Sequence, residues 1–308
     1  SSVMNMSRLL RKLKPGKGAV IAVPFFWLLL FFLVPFFIVL KISFAEQDLA
    51  IPPFTSLLQV EDGVLQSLTL YFGNFHFIFT DGLYAATYLS SLKVAFFTTV
   101  MCLLLGYPIA YAIARADPAR RNVLLMLVML PFWTSFLLRV YAWMGLLNET
   151  GLINNFLLSI GLISEPLHLF HNDFSLYLVM VYAYLPFMIL PLFSHLVKMD
   201  MRLLEAAADL GAGPIKAFLT ITLPLSKNGI IAGSMMVFIP AVGEFVIPEL
   251  VGGTDTLMIG KVLWNEFFDN NNWPMASAVA IIMVLMLIVP IALLHRYETR
   301  ELEGKGNA

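Results

Sequence analysis

Charged residues are scarce in this sequence, and cysteine is nearly absent. Only 13% of the 308 residues are Asp, Glu, Lys or Arg, whereas soluble domains carry about 25%. Hydrophobic residues make up 59% of the chain and the mean hydropathy is +0.84, which is too apolar for a soluble core. The single Cys102 lies in an apolar run, so the chain can form neither an internal disulfide nor a CxxC metal site. We interpret it as a packing residue.

Motifs for catalysis, metal binding and nucleic-acid binding are missing as well. The chain has no GxxxxGK[ST] phosphate loop, no HExxH motif and no evident nucleophile–base pair, so we expect no catalytic residue and no cofactor bound by this chain. His168 and His171 lie in one loop, but no third ligand has a convincing spacing, and we predict no metal site. The basic residues are neither in excess nor gathered on one soluble face, and we predict no nucleic-acid partner.

Long apolar segments dominate the rest of the sequence. A helix crosses the hydrocarbon layer with about 20 apolar residues, and the runs here are continuous rather than alternating, which favours helices over barrel strands. The first run is longer than the roughly 7 to 15 residues of a signal peptide's apolar region and has no small-residue cleavage site after it, so we expect an uncleaved span. The six predicted spans are 18–42, 94–114, 122–148, 174–197, 228–248 and 275–294.

The basic residues predict the orientation of these spans. Fifteen of the 19 lysines and arginines fall on the side of the amino terminus, and most acidic residues fall on the other. Both termini are therefore predicted to be cytoplasmic. The long external loop is expected to cover the outer mouth or touch a soluble partner, or else to lie at the interface as a hydrophobic cap. The predicted segments are a basic cytoplasmic tail at 1–17, a first transmembrane helix at 18–42, an external loop at 43–90, a five-helix core at 91–295 and a cytoplasmic tail at 296–308.

One cytoplasmic loop, 198–227, is more elaborate than a connector needs to be. It predicts a helix, a break at Gly211, Gly213 and Pro214, and a second short helix from about residue 215 to 220. Small alanines let another surface approach the backbone closely, while Glu205 and Asp209 lie four residues apart on one helical face and can accept charged hydrogen bonds. From composition alone, an amphipathic helix lying at the membrane interface is the alternative.

The spacing in this loop matches the EAA signature of ABC importer permeases at every fixed position. The stretches LPFWTSFLLRVYAWMGLL, VYAYLPFMILPL and GSMMVFIPAVGEFVIPELVGG further resemble the putrescine and spermidine permeases of that family. The resemblance extends from about Ser90 to His295 and implies an all-α, multi-pass protein of the bacterial inner membrane with the type I importer fold. It also implies that the loop is the coupling helix that contacts the ATPase, through Glu205, Ala206, Ala207, Asp209, Gly211, Ile221, Leu223 and Pro224.

The same resemblance implies a set of partners. These are a second homologous permease, two copies of a cytoplasmic ABC ATPase, which would bind ATP and Mg²⁺, and an external solute-binding protein. The expected function is import of polyamines by alternating access. Two alternatives stay open: an importer of another solute, such as an organophosphonate, an iron complex or sulfate, and a secondary transporter working alone. The latter would need inverted repeats and many intramembrane acids, which we do not find.

Two charged residues, Arg139 and Glu244, lie inside predicted spans. Each costs roughly 2.5 to 3.5 kcal/mol at the bilayer centre unless it is paired or hydrated. We interpret Arg139 as a structural or gating charge, and Glu244 as part of a cation path that offers carboxylates and aromatic faces. Pro240 and Pro248 are expected to kink or break the helix around Glu244. The predicted path residues are Glu244, Glu249, Phe238, Tyr182, Tyr184, Tyr141 and Trp143.

Overall fold

The structure, a computed structural model, describes the backbone of residues 16–306 and, within that range, every side chain except those of residues 17, 293, 294 and 297–306. Nearly all of the predicted tail at 1–17 therefore lies outside the described residues. The α-helices are α1 Lys17–Leu28, α2 Val34–Ser43, α3 Gly73–Thr80, α4 Gly82–Arg115, α5 Pro118–Met129, α6 Phe136–Leu147, α7 Leu152–Ser159, α8 Asp173–Leu196, α9 Arg202–Asp209, α10 Pro214–Ala217, α11 Leu223–Leu225, α12 Lys227–Val242, α13 Val246–Val251, α14 Ile259–Trp264 and α15 Trp273–Gly306. π-Helical turns at Leu29–Leu33, Phe218–Thr222 and Asn265–Asp269 and a 3₁₀ turn at Leu130–Trp133 join or follow several of them, and the two strands are β1 Leu58–Glu61 and β2 Val64–Leu68.

Four helices are long and apolar enough to cross a bilayer. They are Gly18–Ser43, Gly82–Arg115, Asp173–Leu196 and Trp273–Ala292. Two bent pairs pass the same test when each is taken together: Pro118–Trp133 with Phe136–Ser159, and Pro214–Leu225 with Lys227–Val242. The described residues thus contain four spans, or six if each bent pair is one span, in agreement with the predicted helical membrane fold.

The predicted span at 122–148 is not one continuous helix. Its two halves meet at an angle of 91°. Pro131 lies in the 3₁₀ turn, and Thr134 is extended, with φ −104° and ψ 153°, and its hydroxyl donates to the Pro131 carbonyl at 3.0 Å. A helix cannot continue through an extended residue, so the chain changes direction here.

The predicted external loop at 43–90 is also shorter than expected. Helix α4 already begins at Gly82, because the Asp81 carboxylate accepts a hydrogen bond from the Leu83 amide at 2.9 Å and caps the helix. At the carboxyl end, α15 continues through residue 295 to Gly306, so the described part of the predicted tail at 296–308 is helical.

Residues 81–264 form one compact unit, and α4, α8 and α12 pack together as its core. Two glycines face Met188 of α8 at this contact. A Cβ atom would lie 3.2 Å from Met188 Cγ if it were added to Gly106, and 2.8 Å from Met188 Sδ if it were added to Gly233. Small residues at helix contacts let backbones approach closely where lipid provides no hydrophobic drive for association. Cys102 is fully buried in this core, which agrees with a packing role.

Residues 1–80 and 265–308 form a second unit, in whose described part α15 packs against α2 and α3. The ring of Phe44, which follows α2, lies 5.4 Å from the ring of Phe72 and 5.2 Å from that of Phe75. The buried Asn74 donates to the carbonyls of Ser43 and Ala45 at 3.1 and 2.9 Å. Phe72 and Phe75 of the predicted external loop therefore pack against the end of α2.

The second unit also contains a β-hairpin that the sequence analysis did not predict. Strands β1 and β2 are antiparallel, and an irregularity after Gln59 shifts their register. With this shift Leu58 pairs with Leu68 and Val60 pairs with Leu65. All four of these side chains are exposed, so no surrounding core specifies the strands and the apolar pattern that predicts strands is weak here.

Candidate functional site

A break between α12 and α13 positions Glu244. Helix α12 ends at Val242, and α13 begins only at Val246. Within the break, Glu244 Oε1 accepts hydrogen bonds from the amides of Val246 at 3.1 Å and Ile247 at 3.4 Å. These amides have no acceptor inside the new helix, so the carboxylate satisfies them. The predicted break lies where it was expected, between Pro240 and Pro248.

The second oxygen of the same carboxylate faces α8. The hydroxyl of Tyr184, a buried residue, donates to Glu244 Oε2 at 2.5 Å. Among the described residues, no Lys, Arg or His nitrogen lies within 4.0 Å of this carboxylate. Glu244 is therefore held by neutral donors, and within this chain its negative charge has no neighbouring cation.

Arg139, the other charge inside a span, is not paired with Glu244. Its guanidinium carbon lies 5.8 Å from the ring centroids of both Phe132 and Phe136, a cation–π arrangement. Its Nε atom is buried and has no hydrogen-bond partner in the described part of the chain. The predicted structural or gating role is not tested by this geometry, although the contact with two rings stabilises the charge.

Aromatic rings connect the surroundings of these two charges. The ring of Phe132 lies 5.2 Å from that of Phe187 in an edge-to-face contact, and the ring of Phe187 lies 6.2 Å from that of Tyr184. The sequence analysis did not single out Phe132 or Phe187. Both lie in the stretches that carry the family resemblance, and Phe187 follows Tyr184 by three residues on α8, so helical spacing was the available signal.

The other predicted aromatic residues are dispersed. Trp143 of α6 and Tyr182 of α8 are in edge-to-face contact at 5.3 Å. Tyr141 is 49% exposed, and Phe238 on α12 is half-buried. Of the predicted path residues, the structure thus brings together Tyr184 with Glu244 and Trp143 with Tyr182.

Glu249, the second predicted path carboxylate, has a different environment from Glu244. It lies on α13 and forms a close ion pair with Lys261 of α14, and both side chains are partly exposed. Phe245 and Trp264 stack nearby at 4.6 Å with an interplanar angle of 19°. The sequence did not reveal Lys261 as the partner of Glu249. Lys261 balances the negative charge of Glu249, which we had predicted to meet a transported cation.

The predicted coupling loop, 198–227, forms two helical segments, as expected from its sequence. Helix α9 covers Arg202–Asp209, and Gly211 follows it with a φ of 78°, a left-handed conformation that favours glycine. The second segment continues from Pro214 to Leu225, beyond the predicted end near residue 220. At the start of α9, hydrogen bonds from the Arg202 guanidinium and amide to the Asp200 carboxylate lower the pKa of Asp200.

The outer surface of this loop combines charge with exposed apolar side chains. Leu210 is 89% exposed and Ile215 is 75% exposed. Such apolar exposure beside charged residues is typical of a surface that another protein covers. Of the predicted coupling residues, Glu205, Ala206, Asp209, Gly211 and Pro224 are exposed, Ile221 and Leu223 are half-buried, and Ala207 is buried.

The far end of the loop is anchored to the helical core. The Tyr107 hydroxyl on α4 is 2.7 Å from the Ser226 hydroxyl, and the ring of Phe218 contacts the Tyr107 ring edge-on at 5.6 Å. Ser226 directly precedes α12, the helix that ends at the Glu244 break. Displacement of the loop can therefore be transmitted to α4 and α12 through packed side chains.

Comparison with known proteins identifies relatives that cover most of the chain. A family model described as "binding-protein-dependent transport system inner membrane component" matches residues 82–297. The spermidine/putrescine transport system permease protein PotB of Haemophilus influenzae is 37% identical over 276 residues, which cover 90% of this chain and 92% of that protein. PotB of Escherichia coli K12 is 37% identical over 267 residues, with 85% and 92% covered.

Solved structures share the fold at low sequence identity. The crystal structure of a bacterial ABC transporter involved in the import of the acidic polysaccharide alginate includes a chain that aligns with a TM-score of 0.60 and 17% identity, covering 95% of this chain and 99% of that one. A chain of the MetNI methionine ABC transporter aligns with a TM-score of 0.51, 15% identity and coverages of 69% and 93%. The family match and the relatives that cover most of the chain show that this chain belongs to the inner membrane components of binding-protein-dependent transport systems.

Proposed function

We propose that this chain is the membrane-spanning subunit of an ATP-driven importer that moves spermidine, putrescine or both into the cytoplasm by alternating access. The observation that carries the substrate assignment is Glu244. It is a half-buried carboxylate at a helix break, held by Tyr184 and two backbone amides, with no neighbouring cation within the described residues. The names of the relatives that cover most of this chain, the PotB permeases, support the same substrate.

The chemistry of a polyamine matches this site. Its ammonium groups are joined by methylenes, so one group can meet the Glu244 carboxylate while the carbon chain and the next ammonium lie against aromatic faces such as Phe187. A carboxylate without a counter-ion in a low-dielectric core repels anions and attracts cations. An importer of sulfate or an organophosphonate would need basic donors at this position instead, so a cationic solute fits better.

The energy for transport comes from partners. In our proposal, a second homologous permease completes the membrane unit, two ATPase subunits bind ATP and Mg²⁺, and an external binding protein delivers the solute. The exposed Glu205 accepts hydrogen bonds from basic residues of the ATPase, and Leu210 and Ile215 fill apolar recesses there. Closure of the ATPase pair displaces the loop, and the Tyr107–Ser226 contact transmits this displacement to α4 and α12.

The test is uptake of labelled spermidine and putrescine by vesicles that carry the complete complex. We expect Glu244→Gln to reduce uptake by at least about tenfold, since a lost ammonium–carboxylate contact in a partly buried site is worth about 1.4 kcal/mol or more. ATP hydrolysis stimulated by the binding protein should persist, because the coupling loop is intact. Glu249→Gln is the matched control, and it should have a smaller effect because Lys261 already neutralises Glu249.

Two results would contradict the proposal at different points. If the wild-type complex moves neither polyamine, the substrate assignment is wrong, although the chain still belongs to its family. If Glu244→Gln transports both polyamines at the wild-type rate, Glu244 is outside the path and serves only to cap α13.

A further inference from the structure

A polar cavity lies at one end of the α4–α8–α12 core, and Glu244 is not among the residues that line it. Its volume is about 430 Å³, which is within the range of about 300 to 1,000 Å³ found for small-molecule sites. The walls come from α4, from the beginning of α8 and from the loop that follows α13. The polar residues that line it include Ser90, Lys93, Asp173, Tyr177, Thr254 and Asp255.

Three charged side chains line this cavity, and no ion pair joins any two of them. Asp173 and Asp255 each carry a carboxylate and Lys93 an ammonium group, which together leave one excess negative charge. In the described part of the chain, none of the three forms an ion pair within 4.0 Å or a side-chain hydrogen bond. The carboxylate oxygens are therefore free to bind a ligand, and the excess charge favours a cation.

The walls of the cavity are fixed by hydrogen bonds that bring distant segments together. The buried Ser175 hydroxyl donates to the Val251 carbonyl at 2.5 Å and ties α8 to the end of α13. The Ile259 amide donates to the Ser91 hydroxyl at 2.7 Å and ties the end of the loop to α4. His171 contacts the Gly252 carbonyl at 3.3 Å. Because both ends of the 252–258 segment are held, Thr254 and Asp255 keep their place in the wall of the cavity.

We propose that this cavity binds a primary alkylammonium group and is an outer waiting site that the transported amine occupies before it reaches Glu244. This inference rests on the proposed polyamine function. Asp173 and Asp255 supply the opposite charge, the hydroxyls of Ser90 and Thr254 accept N–H donors, and the Tyr177 ring offers a face for cation–π contact.

The position and the mixed charge of the cavity both suit a transient site. Glu244 lies just before helix α13, and the 252–256 wall of the cavity lies just after it. The six residues of α13 extend about 9 Å, so one short helix connects the two sites. Lys93 weakens cation binding by repulsion. A site on a conduction path must hold its solute loosely enough to release it, and one lysine beside two carboxylates meets this requirement.

The experiment measures equilibrium binding of radiolabelled spermidine to the assembled complex in nanodiscs, without binding protein and without ATP. We expect Asp173→Asn and Asp255→Asn each to weaken binding about threefold, and the double variant about tenfold, as is typical of partly exposed charge contacts. Lys93→Gln should strengthen binding about threefold, because it removes a repulsive charge. Glu165→Gln, an exposed acid in the neighbouring loop, is the matched control and should bind as wild type does.

The aspartate variants and Lys93→Gln are expected to change spermidine affinity in opposite directions, which distinguishes a ligand site from a structural role. If Lys93→Gln weakens binding like the aspartate variants, or if the double variant binds as tightly as wild type, the proposal is wrong. If spermidine binding is unchanged but stimulation of ATP hydrolysis by the binding protein falls, the cavity receives a lysine of that protein, which also overturns the waiting site. Size-exclusion profiles and basal ATP hydrolysis verify that each variant complex is assembled.

A simple amine distinguishes this inference from the proposed function. The same variants are titrated with n-butylammonium, which has one ammonium group. If the wild-type complex imports no polyamine but n-butylammonium binding follows the expected pattern, the ammonium site stands and the proposed cargo is wrong. If polyamines are imported and neither amine responds to the variants, the proposed function stands and this inference fails.

Discussion

At the scale of single residues, the environment of Glu244 shows how a half-buried charge is held between apolar helices. Three hydrogen bonds replace the water that the carboxylate would lose on burial, and none of them comes from a cation. The two backbone donors are fixed by the geometry of α13. The third depends on one side chain, Tyr184, so the orientation of the carboxylate can be changed by a single substitution.

Tyr184→Phe removes this hydroxyl and keeps the ring. Hydrogen bonds to charged groups contribute about 1.5 to 3 kcal/mol, so we expect the variant to lower spermidine uptake about tenfold by releasing one oxygen of Glu244. Tyr182→Phe is the control, because its ring contact with Trp143 needs no hydroxyl. Uptake is measured in vesicles that contain equal amounts of assembled complex. Equal uptake by the two variants would show that Tyr184 does not position Glu244.

At the scale of secondary-structure elements, breaks rather than regular helices place the site. The α12–α13 break turns the Glu244 carboxylate toward Tyr184 of α8, and Gly260 of α14 lies against the backbone of the break. A Cβ atom on Gly260 would lie 3.1 Å from the Gly243 carbonyl carbon and 3.2 Å from the Glu244 carbonyl oxygen. These are backbone atoms, which cannot rotate away as a flexible side chain can.

Gly260→Ala should therefore displace the break. We expect this variant to lower both the melting temperature of the complex and spermidine uptake, since the added methyl group pushes α14 away from Glu244. Gly145→Ala is the matched control. Its added Cβ would meet no atom within 4 Å, and alanine in the interior of α6 gains up to about 1 kcal/mol of helix stability. Wild-type melting and uptake in Gly260→Ala would refute the packing argument.

At the scale of the whole molecule, orientation in the membrane follows from charge. The segments predicted to be cytoplasmic contain most of the lysines and arginines, and the opposite segments contain most of the acids. This arrangement puts the 198–227 loop on the cytoplasmic side and the cavity lined by Asp173 and Asp255 on the external side. The proposed function requires these two positions to be on opposite sides.

Single cysteines test this orientation. Cys102 is the only native cysteine, so Cys102→Ala provides a background in which Thr150→Cys or Ala208→Cys is the sole thiol, and both positions are exposed. We expect a membrane-impermeant maleimide to label Thr150→Cys in intact cells. Labelling of Ala208→Cys should require permeabilisation. The reverse pattern would invert the topology and disprove the assignment of the coupling loop to the cytoplasm.

Local sequence patterns were sufficient for the helical membrane fold, for the two helical segments of the 198–227 loop and for the break at Glu244. In lipid, a continuous apolar run must form a helix to satisfy its backbone hydrogen bonds. In the 198–227 loop, Gly211 marks the break between the two helical segments, because glycine adopts a positive φ without strain. The hairpin and the 91° bend after Trp133 were missed. The hairpin has no buried face to produce a periodic pattern, and the bend depends on the extended conformation of Thr134, which an apolar run does not reveal.

The sequence by itself determined that this protein spans the membrane, which family it resembles and which residues carry charge inside the apolar segments. Only the tertiary structure decided what those charges meet. Tyr184 reaches Glu244 from 60 positions away, Lys261 neutralises Glu249, and Asp173 and Asp255 come to line one cavity. The physical reason is that contacts between helices depend on crossing angles and close approach, which are properties of packed surfaces and not of any local pattern.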